Sequence, residues 1–354
     1  MSNKTQVGIV GYGVIGKRVA EAIKSQPDMT LVGVADVAAD WRVLAAVTRQ
    51  IPLYAADASA SQGMREAGLH LSGLLDDLLQ ISDIVVDCTP KRVGARNAER
   101  YRAAGKPFIL HGGEKHEVTG HSFVAEANYA SAVGRPATRV VSCNTTSIVR
   151  TLGALKRAGL LKRARGTLLR RATDPWESHL GGIMNTVLPE PSIPSHQGPD
   201  ARSVDPELDV VTMAVAVPTT IAHVHYWAVD LTRSATKQEV LQAFAGSSRI
   251  ALIDGSTGLA APNVVKELMA DSGRPHDSLY EVGLWADMLR VEGMELFYAY
   301  MVDNQAIVIP ETIDAIRALT GNRVPAGESI ALTDATLGMG MPFATKSSPL
   351  APVA

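Results

Sequence analysis

Cys143 stands where an apolar pair, Val140-Val141, gives way to Ile148, Val149, Leu152 and Leu155 at helical spacing, so a strand ends and a helix begins at this cysteine. The backbone N–H groups of a helix start carry roughly half a positive charge. They favour a thiolate over a thiol and can hold an oxyanion that forms beside the sulfur, so the expected chemistry is nucleophilic attack. The plainer alternative is a small buried apolar cysteine. His223 and His225 lie two apart and point to one face of a strand, where an imidazole can move a proton near neutral pH or simply bond a backbone carbonyl. A zinc site is the other reading of such a pair, but no third ligand falls at a familiar spacing, so no metal is expected. Arg170 and Arg171, side by side, could hold phosphate or stand as solvated strand-end charges.

A second constellation lies near the start. Val7-Gly8-Ile9-Val10 is a short apolar strand, followed by Gly11-Tyr12-Gly13-Val14-Ile15-Gly16 and a helix carrying Val19, Ala20 and Ile23. This is Gly-x-Gly-x-x-Gly in the setting a dinucleotide needs. Gly11 makes the tight turn, Gly13 lets pyrophosphate approach, and Gly16 lets helix and strand pack. The pyrophosphate would lie on the helix start. A further strand, Thr30 to Ala35, ends at Asp36, about twenty residues beyond the last motif glycine, where an acid takes the ribose hydroxyls.

These groups need elements to position them. Apolar Leu71, Leu74, Leu75, Leu78 and Leu79 predict a helix, and strands are expected at 81–90 and 107–113 with a helix around Asn97–Tyr101 between them. Alternation of strands and helices implies a parallel, doubly wound (Rossmann) sheet. Beyond the Cys143 helix the pattern changes to long strands at 167–172, 211–217, 221–231, 284–291 and 294–302, the last two joined at Glu292-Gly293. They predict an α+β domain with a mostly antiparallel sheet. Thr236-x-x-Glu239 is a capping box for a helix bearing Val240, Leu241 and Phe244. A long loop from Asp174 to Asp209, rich in Pro, Ser and Gly, is expected to be functional. The division expected is 1–141 for the dinucleotide, 142–309 for catalysis, a helix at 310–336 returning to the first domain, and a tail at 337–354.

Composition sets outer limits. With 354 residues, 46% apolar and 20% charged, the chain can bury a large core in two domains. A formal charge of −2 without a basic run argues against nucleic acid or an anionic membrane as the main partner. No apolar span is long enough for a membrane helix, and the polar start is not a signal peptide, so a cytoplasmic protein is expected. Two cysteines, Cys88 and Cys143, are too few for a disulfide framework, which leaves Cys143 a free thiol.

The strings Ser142-Cys143-Asn144-Thr145-Thr146, Gly11 to Val19, Ile193-Pro194-Ser195-His196-Gln197-Gly198-Pro199-Asp200, Val217 to His225 and Ile309 to Arg317 together resemble the archaeal-type (type II) glyceraldehyde-3-phosphate dehydrogenases. The similarity runs from about Val7 to about Leu319. It implies a glycolytic homotetramer in which Cys143 attacks the aldehyde of a sugar phosphate. Hydride then passes to NAD or NADP, and inorganic phosphate cleaves the thioester. It implies that one histidine near 223 is the base, and strand geometry favours His223, nearer the loop end, over His225. Ser142, Asn144 and Thr145 would contact substrate, with Arg170, His196 and Gln197 offered to phosphate; the family usually shows a second histidine where Gln197 stands. Arg171, Val14, Ile15, Gly113 and Gln305 correspond to cofactor contacts. Two alternatives remain: the same chemistry on another phosphorylated aldehyde or a semialdehyde, or a dinucleotide-binding protein without catalysis. Many relatives carry lysines after the second strand, where this chain reads Ala35-Asp36-Val37-Ala38-Ala39-Asp40, so NAD is expected over NADP unless Arg42 swings to the ribose.

Overall fold

The computed structural model describes residues 4–111, 113–172, 186–321, 324–340 and 343. The expected 174–209 loop as far as residue 185, and the tail from Lys346, lie outside the described residues. The chain forms two compact units, Met1–Ser142 with Ile309–Leu337, and Cys143–Val308 with Gly338–Ala354.

The first unit holds β1 (Thr5–Val10), β2 (Met29–Asp36), β3 (Leu53–Ala55), β4 (Gly73–Leu74), β5 (Ile84–Asp87), β6 (Phe108–His111), β7 (Ser122–Phe123) and β8 (Ala137–Val140). They make one sheet in the order β4-β3-β2-β1-β5-β6-β8-β7, every pairing parallel. Val7, Ile9, Val85 and Val86 are fully buried, as strands covered on both faces require. The order reverses between β1 and β5, and ligands of such sheets bind outside the strand ends at that switch point. Gly11 sits there at φ +87°. A Cβ on it would stand 2.9 Å from Thr89 N and 3.0 Å from Cys88 C, so the two loops touch through backbone.

The helix expected from Leu71 begins only at Leu75. Gly73 (φ +156°) and Leu74 form β4 instead, and Asp77 Oδ2 caps the helix by accepting from Leu74 N at 2.8 Å. The expected 310–336 helix is two helices, Val308–Leu319 and Ala326–Thr336. Arg317, fully buried, fastens them to the start of β2: its Nε and Nη2 donate to Asp28 at 2.8 and 3.0 Å, and Nη1 donates to Thr333 Oγ1 at 2.6 Å.

The second unit holds β9 (Leu161–Arg171), β10 (Leu188–Pro189), β11 (Val210–Val217), β12 (His223–Leu231), β13 (Ile250–Ile253), β14 (Val282–Trp285), β15 (Arg290–Glu292) and β16 (Glu295–Val302). Their order is β10-β11-β9-β12-β16-β14-β13, with β15 also on β16. Only the β9–β11 and β13–β14 pairings are parallel among these, so the sheet is mixed but mostly antiparallel. The strand expected at 284–291 is broken between β14 and β15 by a turn in which Leu289 N donates to Ala286 O and Asp287 accepts from Gly255 N. Alternation along β12 buries His223, His225, Trp227, Val229 and Leu231 on one face. Trp227 lies against Gly166 across the ladder, where a Cβ would meet its ring at 2.6 Å. Within the expected loop, a helix at Gln197–Arg202 is moored by Thr212, whose Oγ1 accepts from Gly198 N at 3.0 Å. Thr236 caps the helix Lys237–Ala245, accepting from Glu239 N.

Candidate active site

The helix Cys143–Arg157 starts at the cysteine and is buried from Asn144 to Leu155. Its side chains fix it within the second unit. Arg150 donates to Tyr280 O at 2.8 Å and Ile307 O at 3.2 Å, and Thr145 Oγ1 donates to Asp200 Oδ2 at 2.7 Å. His223 opens β12 and places Nε2 3.3 Å from Cys143 Sγ. At its other edge Nδ1 accepts the backbone N–H of Arg171, the last residue of β9, at 3.0 Å. With its amide turned so that Oδ1 faces the guanidinium, Asn304 accepts from Arg171 Nε at 2.7 Å and donates to Ile221 O at 3.1 Å. Next to it, Asp303 is paired with Lys266 at 2.8 Å and takes the N–H groups of Leu279 and Gln305.

His225 does something else. Its Nε2 is 2.9 Å from Asn144 Oδ1 and its Nδ1 2.9 Å from Tyr300 OH, so both nitrogens are engaged and the ring is fully buried. Burial, helped by the Arg170 charge, depresses its pKa to about 3. Burial likewise holds His223 well below its ordinary value, reinforced by His225, Arg171 and Arg170. Both rings are therefore neutral at physiological pH.

At Cys143, which is half-buried, the surroundings oppose the expected thiolate. Burial raises the thiol from 9.0 to about 11, although Arg171, the Asn144 N–H and Arg170 all pull the other way. Cys88 is also pushed well above its usual value by burial and by Asp87.

Other expected residues divide. Asn144 and Thr145 lie beside Cys143; the Thr145 hydroxyl donates to Asp200 Oδ2 at 2.7 Å, and Asn144 Oδ1 lies 2.9 Å from His225 Nε2. Ser142 is half-buried just before the helix. Arg170 and His196 meet on a residue the sequence reading missed, Glu190, at 2.6 and 3.0 Å. Gln197 is fully buried, and neither of its amide atoms has a partner among the described residues. Gln305 is half-buried in the turn after β16, held there through its backbone. Tyr300, Asn304 and Glu190 carried no local signal. Only the β12–β16 register, with Tyr300 opposite His225, could have pointed to the first.

In the first unit the helix Val14–Lys24 follows Gly13, which gives its opening amides no side-chain cap. A Cβ on Gly13 would meet nothing within 4 Å, whereas one on Gly16 would strike Gly11 O at 2.0 Å. Gly13 thus leaves an open cradle at the helix start with Val14 and Ile15 in its first turn, and Gly16 closes helix on strand. Asp36 accepts the N–H groups of Tyr12 at 2.6 Å, Val37 at 2.7 Å and Ala38 at 2.8 Å. Gly113 follows β6, its α-carbon side packed near Lys91. Among the described residues no three His, Cys, Asp or Glu side chains are grouped to hold a metal ion, and no helix is long and apolar enough to cross a membrane.

Residues 142–270, which carry Cys143, His223 and Arg171, match the family described as glyceraldehyde 3-phosphate dehydrogenase, C-terminal domain. Over 336 residues the chain is 43% identical to the glyceraldehyde-3-phosphate dehydrogenase of Metallosphaera sedula, covering 95% of this chain and 98% of that one. The chain belongs to the glyceraldehyde-3-phosphate dehydrogenase family. The enzymes of that name from Methanobrevibacter smithii (40% over 334 residues, 94% of this chain and 99% of that one) and Haloarcula marismortui (43% over 335 residues, 94% of each) are also similar over nearly the whole chain. Residues 5–117 also match the N-terminal domain of dihydrodipicolinate reductase, in the stretch that holds the glycine-rich turn. As a glyceraldehyde-3-phosphate dehydrogenase family member the chain is an NAD(P)-dependent oxidoreductase, and the uncapped helix start behind Gly13 suits the pyrophosphate of a nicotinamide dinucleotide.

Proposed function

We propose that the protein oxidises glyceraldehyde 3-phosphate to 1,3-bisphosphoglycerate through a thioester on Cys143. The observation that carries this reading is the 3.3 Å approach of His223 Nε2 to Cys143 Sγ at a helix start, with two arginine charges acting on the sulfur. The sulfur adds to the aldehyde carbon as the thiol proton passes by way of His223 Nε2 to the aldehyde oxygen, which lies beside the helix-start amides, giving a hemithioacetal whose hydroxyl proton His223 takes as hydride leaves. Loss of hydride from this hemithioacetal gives the thioester, and the nicotinamide cofactor accepts that hydride when bound. Inorganic phosphate then attacks the acyl carbon and releases Cys143.

His223 is the residue we assign to the proton. His225, with both nitrogens bonded, supports the wall of the site instead. Arg170 and His196 are assigned to phosphate, with Gln197 as a neutral donor in support. Gly11, Gly13, Val14, Ile15, Gly16, Asp36 and Gly113 are assigned to the dinucleotide, along with Arg171 and Gln305. NAD is the preferred form, because the Asp36 carboxylate repels a 2′-phosphate and Arg42 is bound to Asp40 through Nε at 3.0 and 3.1 Å. We assign the assembly as a homotetramer.

Assaying the purified protein with glyceraldehyde 3-phosphate, with and without inorganic phosphate, tests the reading. Reduction of cofactor that depends on phosphate supports it. Turnover independent of phosphate, or with a semialdehyde in its place, would overturn it.

A further inference from the structure

Arg170 and His196 already hold an anion, and it is part of the chain. Glu190 Oε2 accepts from Arg170 Nη1 at 2.6 Å, while Oε1 lies 3.0 Å from His196 Nδ1 and 3.4 Å from the His196 backbone N. Burial pushes the Glu190 carboxyl up, but the bonds from His196 and the Arg170 charge bring it below its ordinary value, so it is ionised at neutral pH. The cluster is open on one side: the His196 side chain is 63% exposed, against 29% for Arg170 and 22% for Glu190. Its charge also reaches the reacting atoms, since Arg170 acts on Cys143, His223 and His225.

We propose that Glu190 is a built-in competitor for the phosphate-binding pair, occupying Arg170 and His196 until a phosphate dianion displaces it. The proposal rests on the assignment of Arg170 and His196 to phosphate. An arginine fork accepts either group, but a phosphate brings about −1.5 to −2 charges and three acceptor oxygens against one charge and two oxygens on the carboxylate. A dianion therefore exchanges favourably where chloride, a carboxylate or an uncharged aldehyde does not. Glu190 thereby raises the threshold for entry and favours phosphorylated substrates. The main chain need not move, because Glu190 N is held on Ala214 O at 2.9 Å and the side chain alone can swing away.

Steady-state kinetics of Glu190→Gln, varying glyceraldehyde 3-phosphate and inorganic phosphate in turn, test this. The KM for one of the two phosphates should fall about three- to tenfold, with kcat changing less, and chloride should become a stronger competitor. The KM that falls identifies which phosphate uses the pair. Glu190→Ala, which keeps no hydrogen-bonding group, should change KM in the same direction. An unchanged or higher KM for both would mean that Glu190 orients the pair rather than competing for it, and would overturn the proposal. Arg170→Ala separates the two failures: if it raises a phosphate KM while Glu190→Gln lowers none, the assignment of Arg170 stands and the competitor fails. If Arg170→Ala leaves both KM values alone, both fall.

Discussion

The backbone N–H of Arg171 donates to His223 Nδ1 at 3.0 Å, on the ring edge opposite the Cys143 sulfur. An amide N–H can only donate, and a neutral imidazole has one N–H, so in the free protein the hydrogen sits on Nε2 and points at Sγ. His223 is thus a donor at rest, suited to steadying the thiolate and then the hemithioacetal oxygen. Taking a proton at Nε2 requires the bond to Arg171 to break first. His223→Asn should slow hydride transfer about 10²–10⁴-fold. His223→Gln, whose amide reaches the Nε2 position where that of Asn falls short, keeps an N–H toward the sulfur but cannot become cationic and should lie between that variant and the parent, and His225→Asn should slow the step less. Single-turnover measurement of cofactor reduction checks the order; a larger loss at His225 would exchange the two roles.

Alkylation should report the state of the two thiols. With the Cys143 pKa near 11, its reaction with iodoacetamide should climb about tenfold per pH unit between pH 7 and 9, because the thiolate fraction does so below the pKa. Cys88, whose thiol Asp87 pushes up with no arginine pulling it back, should react more slowly throughout. A Cys143 rate that levels off below pH 7 would mean that the sulfur is already ionised beside His223. Cys143→Ser should abolish oxidation and leave cofactor binding intact.

Cofactor choice should turn on Asp36. The unmutated protein should show a higher kcat/KM with NAD than with NADP, and Asp36→Ala should narrow the gap. The same change leaves three backbone N–H groups without their acceptor and should also lower thermal stability. A higher value with NADP would point to cations near the β2 end. Two of these are Arg42, and Lys17, whose Nζ lies 4.5 Å from the Trp41 ring centre.

Arg317 should matter for folding and not for chemistry. Replacing it by Met strands Asp28 and the fully buried Asp314 without their cation, at a cost of about 3–5 kcal/mol. A urea unfolding midpoint close to that of the parent would show that the two C-terminal helices are held by apolar packing alone.

Light scattering at micromolar concentration should give the mass of a tetramer. A monomeric mass would refute that assembly.

Much of the molecule is determined locally. Gly11, Gly13 and Gly16 between an apolar strand and an amphipathic helix specify a dinucleotide turn, because only glycine tolerates φ +87° at one position and a neighbouring oxygen at the Cβ site of another. The strand-to-helix switch after Val141 likewise places Cys143 at a helix start, and the two-residue period puts His223 and His225 on one face. Tertiary structure decides how those groups behave. Burial opposes the helix start at Cys143, since desolvation depends on everything packed around the sulfur and not on its place in one element. The choice between the histidines comes from partners far away in sequence: Asn144 and Tyr300 close off His225, while Arg171 fixes the tautomer of His223. The Arg170–Glu190–His196 cluster has the same origin. It needs the β10–β11 pairing and the Thr212 mooring to bring 170, 190 and 196 together, and long-range contacts of that kind leave no periodic trace in the sequence.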